Sequence, residues 1–158
     1  MLKNSILVVL TAATLTFAGC SKEKKYIKKI EGEWDVTNFT INDVNVLTAN
    51  VDNGVTTVME MDYDDDGDFN ITANLSYGLY NYTYIFPGTW EITDTNLALD
   101  YNGTEQTGVA SAFMYLAGVE EYEYLANEAY EIVELTKSKL ILEGTNQGQS
   151  VRIEADAK

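Results

Sequence analysis

The chain of 158 residues contains no histidine, one cysteine, one proline and one arginine. Without histidine there is no imidazole general base, no Ser-His-Asp triad and no histidine metal ligand. A lone cysteine excludes an intrachain disulfide and a thiolate zinc cluster. Basic side chains are scarce as well: 10 Lys and Arg stand against 25 Asp and Glu, for a net charge of -15. Phosphate backbones need clustered cations, and the part of the chain that reads as folded lacks them, so nucleic acid is not expected as a partner. Between Ile30 and Thr136 there is no Lys or Arg, yet 21 of the 25 acids fall there. Those carboxylates must be solvated or gathered around a cation, because nothing nearby can pair with them. What the chain does have is 46% hydrophobic content and 11 tyrosines, enough for the core of one domain.

Residues 1 to 19, MLKNSILVVLTAATLTFAG, join one lysine to an uncharged apolar run and end in small residues. This is the pattern of a secretory signal, and its apolar stretch falls short of the ~20 residues of a spanning helix. The only cysteine, Cys20, follows Ala18-Gly19. That ending resembles a bacterial lipobox, which implies a diacylglycerol thioether on Cys20, cleavage before it and acylation of the new amino terminus. Two or more acyl chains anchor a protein stably. Ser21 stands where an inner-membrane retention signal would place Asp, so the resemblance implies the outer membrane. Lys22-Glu23 partly resembles the charged tag that exports such lipoproteins to the cell surface in Bacteroidota; a periplasmic and a surface-facing protein both remain open. Residues 20–30 then read as a lipidated tether with Lys22, Lys24, Lys25, Lys28 and Lys29. These lysines suit either adhesion to anionic headgroups, at ~1 kcal/mol each, or simple solvation.

Beyond the tether the dominant pattern is alternation. Thr57, Met59, Met61 and Tyr63 alternate with polar or outward positions, and after Asp66-Gly67 so do Phe69, Ile71, Ala73, Leu75 and Tyr77. This predicts a hairpin with one wet face. Tyr80, Tyr82, Tyr84 and Phe86 form a third such run, which Pro87-Gly88 is expected to end. Trp90 and Ile92, then Leu97, Leu99 and Tyr101, flank a turn at Asp94-Thr95-Asn96. Residues 130–135, 140–143 and 151–154 supply three more strands. Residues 33–41 open the series, with a change of apolar parity between Val36 and Phe39 that predicts a bulge. About eight short strands without alternating helices indicate an all-β domain, either a closed barrel or a sandwich. Residues 109–129 break the pattern: Val109, Phe113 and Leu116 have helical spacing, and a short helix or a long lid loop fits equally.

Gly32-Glu33-Trp34 at the start of the first strand resembles the Gly-x-Trp signature of lipocalins. With the lipobox, the Lys-rich tether, the acidic Asp-Gly hairpin, Gly88-Thr89-Trp90 before Asn96-Leu97, and Leu135-Thr136 before Leu140, the chain resembles the lipocalin-like lipoproteins of Bacteroidota over residues 31 to 155. The resemblance implies an antiparallel up-and-down β-barrel of about eight strands over residues 31–158. It also implies that Trp34 closes the barrel base beneath a basic side chain of the last strand, for which Arg152 is the candidate. A guanidinium over an indole is worth ~0.5 to 2 kcal/mol.

Three constellations carry possible chemistry. Asp62, Asp64, Asp66 and Asp68 have the DxDxDG spacing of a calcium loop, but the twelfth position is Ala73 and strands flank it, so it is no EF-hand. A weaker calcium site and a solvated acidic turn are the two readings. Tyr80, Tyr82 and Tyr84 could present an aromatic platform to sugars or fill the barrel interior. Glu120 with Glu121, and Glu60 with Asp62, are paired carboxylates that glycoside chemistry could use, although no nucleophile or further base accompanies them. Asn-x-Ser/Thr sequons at Asn38, Asn70, Asn74, Asn81 and Asn102 fall on strand faces and turns. The combined reading is a non-enzymatic, membrane-anchored envelope lipoprotein that needs no cofactor and binds a small apolar or amphipathic molecule or a protein partner. A carbohydrate-binding accessory protein is the alternative.

Overall fold

A computed structural model describes residues 23–49, 51–103, 105–107 and 129–158. The chain begins with helix α1 over residues 23–30 and continues with strands β1 (Gly32–Ile41), β2 (Val44–Asn45), β3 (Val55–Tyr63), β4 (Asp68–Tyr77) and β5 (Tyr80–Thr93). Strands β6 (Asn96–Tyr101), β7 (Glu105–Thr107), β8 (Ala129–Leu135), β9 (Lys139–Asn146) and β10 (Gln149–Ala157) follow. Each wall strand pairs antiparallel with its neighbour in the chain, in the order β1-β3-β4-β5-β6-β8-β9-β10. Strand β10 pairs back onto β1, from Trp34 with Ala157 to Ile41 with Val151. The result is a closed up-and-down barrel of eight wall strands, the lipocalin-like form. Strands β2 and β7 are short additions on β1 and β5. Closure leaves the wall without a free edge between first and last strands.

The alternation read from the sequence becomes an inside and an outside. On β3, Val55, Met59, Met61 and Tyr63 are buried while Thr56, Val58 and Asp62 are exposed. On β4, Phe69, Ile71, Ala73 and Leu75 point inward. The parity change in β1 is a bulge: pairing with β10 slips between Val36 and Asn38, so Trp34 and Val36 below it and Phe39 and Ile41 above it all face the core. A second slip between Ile132 and Glu134 leaves Val133 outside, 49% exposed.

Two expectations about local structure fail. Pro87-Gly88 does not end a strand, for β5 runs through both residues to Thr93. Pro87 falls where the neighbour of β5 changes from β7, last paired at Ile85, to β6, first paired at Gly88. Its carbonyl still accepts from the Asn102 amide at 2.8 Å. A missing N–H is tolerable at such a break in the ladder. Residues 23–30 are also no free tether. Tyr26, Ile27 and Ile30 recur at helical spacing and pack on the barrel core, with Ile30 fully buried. Gly32 then takes φ +119°, a conformation that L side chains rarely adopt, and turns the chain from helix into β1. The helix or lid loop expected over 109–129 falls on residues of which all but the last lie outside the described set.

Candidate functional site

The barrel has two poles. At one, the base, lie α1 and the turns 64–67, 94–95 and 136–138; at the other, the rim, lie residues 42–49 and 51–54 and the turns 78–79 and 147–148. Between them the inward side chains of the described residues pack on one another. Trp34, Tyr63, Tyr84, Tyr130, Phe39, Phe69 and Phe86 are all under 2% exposed or close to it, and belong to one continuous core with Met59, Met61 and Ile71. Tyr63 stands edge-on to Trp90, centroids 5.9 Å apart, and its hydroxyl donates to the Met61 sulfur at 3.6 Å. Burial, helped by nearby Tyr130, pushes the Tyr63 pKa far above the ordinary tyrosine value, so the hydroxyl stays protonated and cannot serve as a base.

The tyrosine run does not form a sugar platform. Tyr82 and Tyr84 are buried in the interior, where Tyr84 sits across from the small Ala73. Only Tyr80 is exposed, at 60%. It is paired with Tyr77 across the rim turn, whose tip, Leu79, is 97% exposed. Val51 of the neighbouring rim segment is exposed as well. The rim therefore presents Val51, Tyr77, Leu79 and Tyr80 to solvent, an apolar cluster that alternation arguments miss because they look for buried faces.

The Trp34 and Arg152 pairing is corrected. The strands that carry them are neighbours, but Trp34 lies across from Ala157 and Arg152 across from Thr40, on the far side of the β1 bulge. Trp34 points inward and is 2% exposed, whereas Arg152 lies between the buried Val151 and Ile153 and therefore points outward. Its guanidinium binds Glu143 and, at 2.9 Å, Glu154, whose second oxygen lies 3.6 Å from Lys139. The Arg152 hydrogen bond holds the Glu154 carboxyl below the usual carboxylate range. What closes the base over Trp34 is α1: the indole N–H donates to the Ile30 carbonyl at 2.7 Å, satisfying a backbone acceptor at the helix end. Lys29 adds a second tie, its ammonium donating to the Leu135 carbonyl at 3.1 Å.

The acidic hairpin is a self-satisfied turn. One Asp64 carboxylate oxygen accepts from the amides of Asp66 at 3.1 Å and Asp68 at 3.0 Å. The turn is buttressed by Trp90, whose indole N–H donates to the Asp64 carbonyl and whose amide donates to that of Gly67. Asp62 lies down β3 opposite Asn70. Among the described residues no three His, Cys, Asp or Glu side chains converge as a metal site, so Asp62, Asp64, Asp66 and Asp68 form the acidic turn, one of the two readings of the sequence, and not a cage of converging ligands.

Of the paired carboxylates, Glu120 and Glu121 lie outside the described residues. Glu60 and Asp62 line a groove of about 420 Å³ on the outer wall, with Glu33, Asn70, Thr72, Ile85 and Pro87. There Glu60 accepts from Lys158 at 2.7 Å, and Glu33 and Asp35 lie within 3.7 Å of the same ammonium. A second outer groove beside Arg152 is lined by Glu131, Glu143 and Thr145 among others. Both grooves are open to solvent and lie outside the barrel. Cys20, Ser21 and Lys22 lie outside the described residues.

The chain matches no protein-family model and no curated protein.

Proposed function

We propose that this protein is a lipid-anchored component of the bacterial outer membrane, held by Cys20, whose filled barrel is a rigid, non-enzymatic head that recognises a protein partner through its rim. The observation that carries the reading is the contrast between a packed interior and an exposed apolar rim at the pole opposite α1. A carrier of small apolar molecules needs a chamber of several hundred Å³, and the interior positions of the described strands are occupied by Trp, Phe, Tyr, Met and Ile side chains. Exposed aliphatic and aromatic side chains grouped at one turn are what a protein interface uses as its centre.

The anchor is tested by Cys20→Ser, which should move the protein from the membrane fraction to the soluble one. A variant still wholly in membranes would overturn it. The rim is tested with a photo-crosslinking residue at Leu79 in cells, compared with one at Val133 on the wall. A discrete adduct from position 79 that Tyr80→Glu abolishes, and that position 133 does not give, is the expected result. Lipid retained in native mass spectra would instead favour a small apolar ligand, and glycan-array binding a carbohydrate one.

A further inference from the structure

The basic residues are not spread over the molecule. In α1, Lys24, Lys25, Lys28 and Lys29 are exposed while Tyr26, Ile27 and Ile30 face the barrel, so the helix has an apolar inner face and a cationic outer one. The β8–β9 turn brings exposed Lys137 to the same pole from more than a hundred residues downstream, and the Lys29 bond to Leu135 fixes α1 beside that turn. The acidic turn 64–67 joins β3 to β4. Counted round the wall, it lies four strands from the β8–β9 turn in an eight-stranded ring, on the opposite side of the base. The base thus has a cationic side, where Lys24, Lys25, Lys28, Lys29 and Lys137 outnumber Glu23, Glu31 and Glu134, and an anionic side.

We propose that the outer face of α1, together with Lys137, is a contact surface for anionic lipid headgroups and seats the barrel on the membrane at a tilt. The inference rests on the anchored reading, because Cys20 lies three residues before α1. Charge selects the occupant. There is no basic residue from Ile30 to Thr136, and Lys139, Arg152 and Lys158 are each engaged by a carboxylate, so an anionic membrane is attracted to this side and repelled by the acidic wall and turns. A flat phosphate surface next to the anchor suits a row of flexible ammonium groups, each a point charge without the directional fork of arginine. Attraction at the α1 and Lys137 side and repulsion at Asp64, Asp65, Asp66 and Asp68 together tip the β8–β9 side down and lift the acidic turn. A helix docked by Trp34 and Lys29 transmits that orientation to the whole barrel, which a free tether could not do.

The test uses the acylated full-length protein on vesicles of phosphatidylcholine alone and on an equimolar mixture with phosphatidylglycerol. Amine-reactive labelling followed by mass spectrometry reads each lysine. Lys24, Lys25, Lys28 and Lys137 should label about threefold or more slowly on the anionic vesicles than on the neutral ones, with the difference erased in about 0.5 M salt. Lys158 lies at the same pole, but Glu33, Asp35 and Glu60 hold its ammonium on the β1–β3 side, away from Lys137, so its labelling should change less than that of the α1 lysines. The triple variant Lys24→Gln, Lys25→Gln, Lys28→Gln changes only exposed side chains, and at an unchanged thermal midpoint it should lose the protection of Lys137. Equal labelling on both vesicle types, or protection that survives high salt, overturns the contact. Failure to float with neutral vesicles would count against the anchor alone, since the contact is still read on the anionic ones.

Discussion

Trp34 spends its indole N–H on the Ile30 carbonyl and its ring on the base of the core, so its partner is the helix before it. Truncation to Ala should cost ~3 to 5 kcal/mol in urea unfolding, from the lost ring and the cavity it leaves. A double-mutant cycle between Trp34→Ala and Arg152→Met should give coupling within ~0.5 kcal/mol of zero, because the two side chains lie on opposite faces of the wall. Coupling above ~1 kcal/mol would put the guanidinium on the indole after all. Arg152 alone should matter little: its partners Glu143 and Glu154 are partly exposed, and such pairs contribute ~0 to 1 kcal/mol. The outward placement of Arg152 was legible, since Val151, Ile153 and Ala155 take the inward parity of the strand. Pairing it with Trp34 gave a single cation more weight than that alternation.

Gly88 lets β5 continue past the only proline. A Cβ there would stand 2.2 Å from the Asp100 carbonyl oxygen and 2.5 Å from the Phe69 ring, so the backbones of β5 and β6 come together over a position that admits no side chain. Gly88→Ala should therefore destabilise the barrel by ~2 to 3 kcal/mol in urea or thermal unfolding. A loss below ~0.5 kcal/mol would mean that the two strands separate freely. Elements of this kind divide what the sequence reveals from what it hides. Period-two alternation located the wall strands, and the step from Val36 to Phe39 located the β1 bulge, because both depend only on which side chains seek the core. Continuity through Pro87 depends on the exchange of β7 for β6 as neighbour, which is tertiary. Helix α1 was hidden for another reason: its apolar set is only Tyr26, Ile27 and Ile30, outnumbered by lysines, although their spacing was there to be read. The rim cluster at Leu79 and Tyr80 was hidden because an exposed apolar residue looks, in sequence, like one more core position.

The whole chain carries a net charge of -15, and most carboxylates of the described residues lie on the outer wall or at the turns without a basic residue close in sequence. Self-repulsion of that size should outweigh the Lys158, Lys139 and Arg152 pairs. Raising sodium chloride from a few millimolar to about 0.3 M, which shortens the screening length to well under 10 Å, should therefore raise the thermal midpoint. A fall would mean that the ion pairs dominate. Closure has a different consequence at this scale. The Lys158 amide donates to the Glu33 carbonyl at 3.0 Å, so the folded chain starts and finishes at one pole. A reporter fused after Lys158 emerges beside α1, whereas one inserted at Gly78-Leu79 projects from the far end. The barrel can equally be rewired, with Lys158 linked to residue 23 by a short loop and new ends cut at Leu79, leaving every strand pairing of the wall in place.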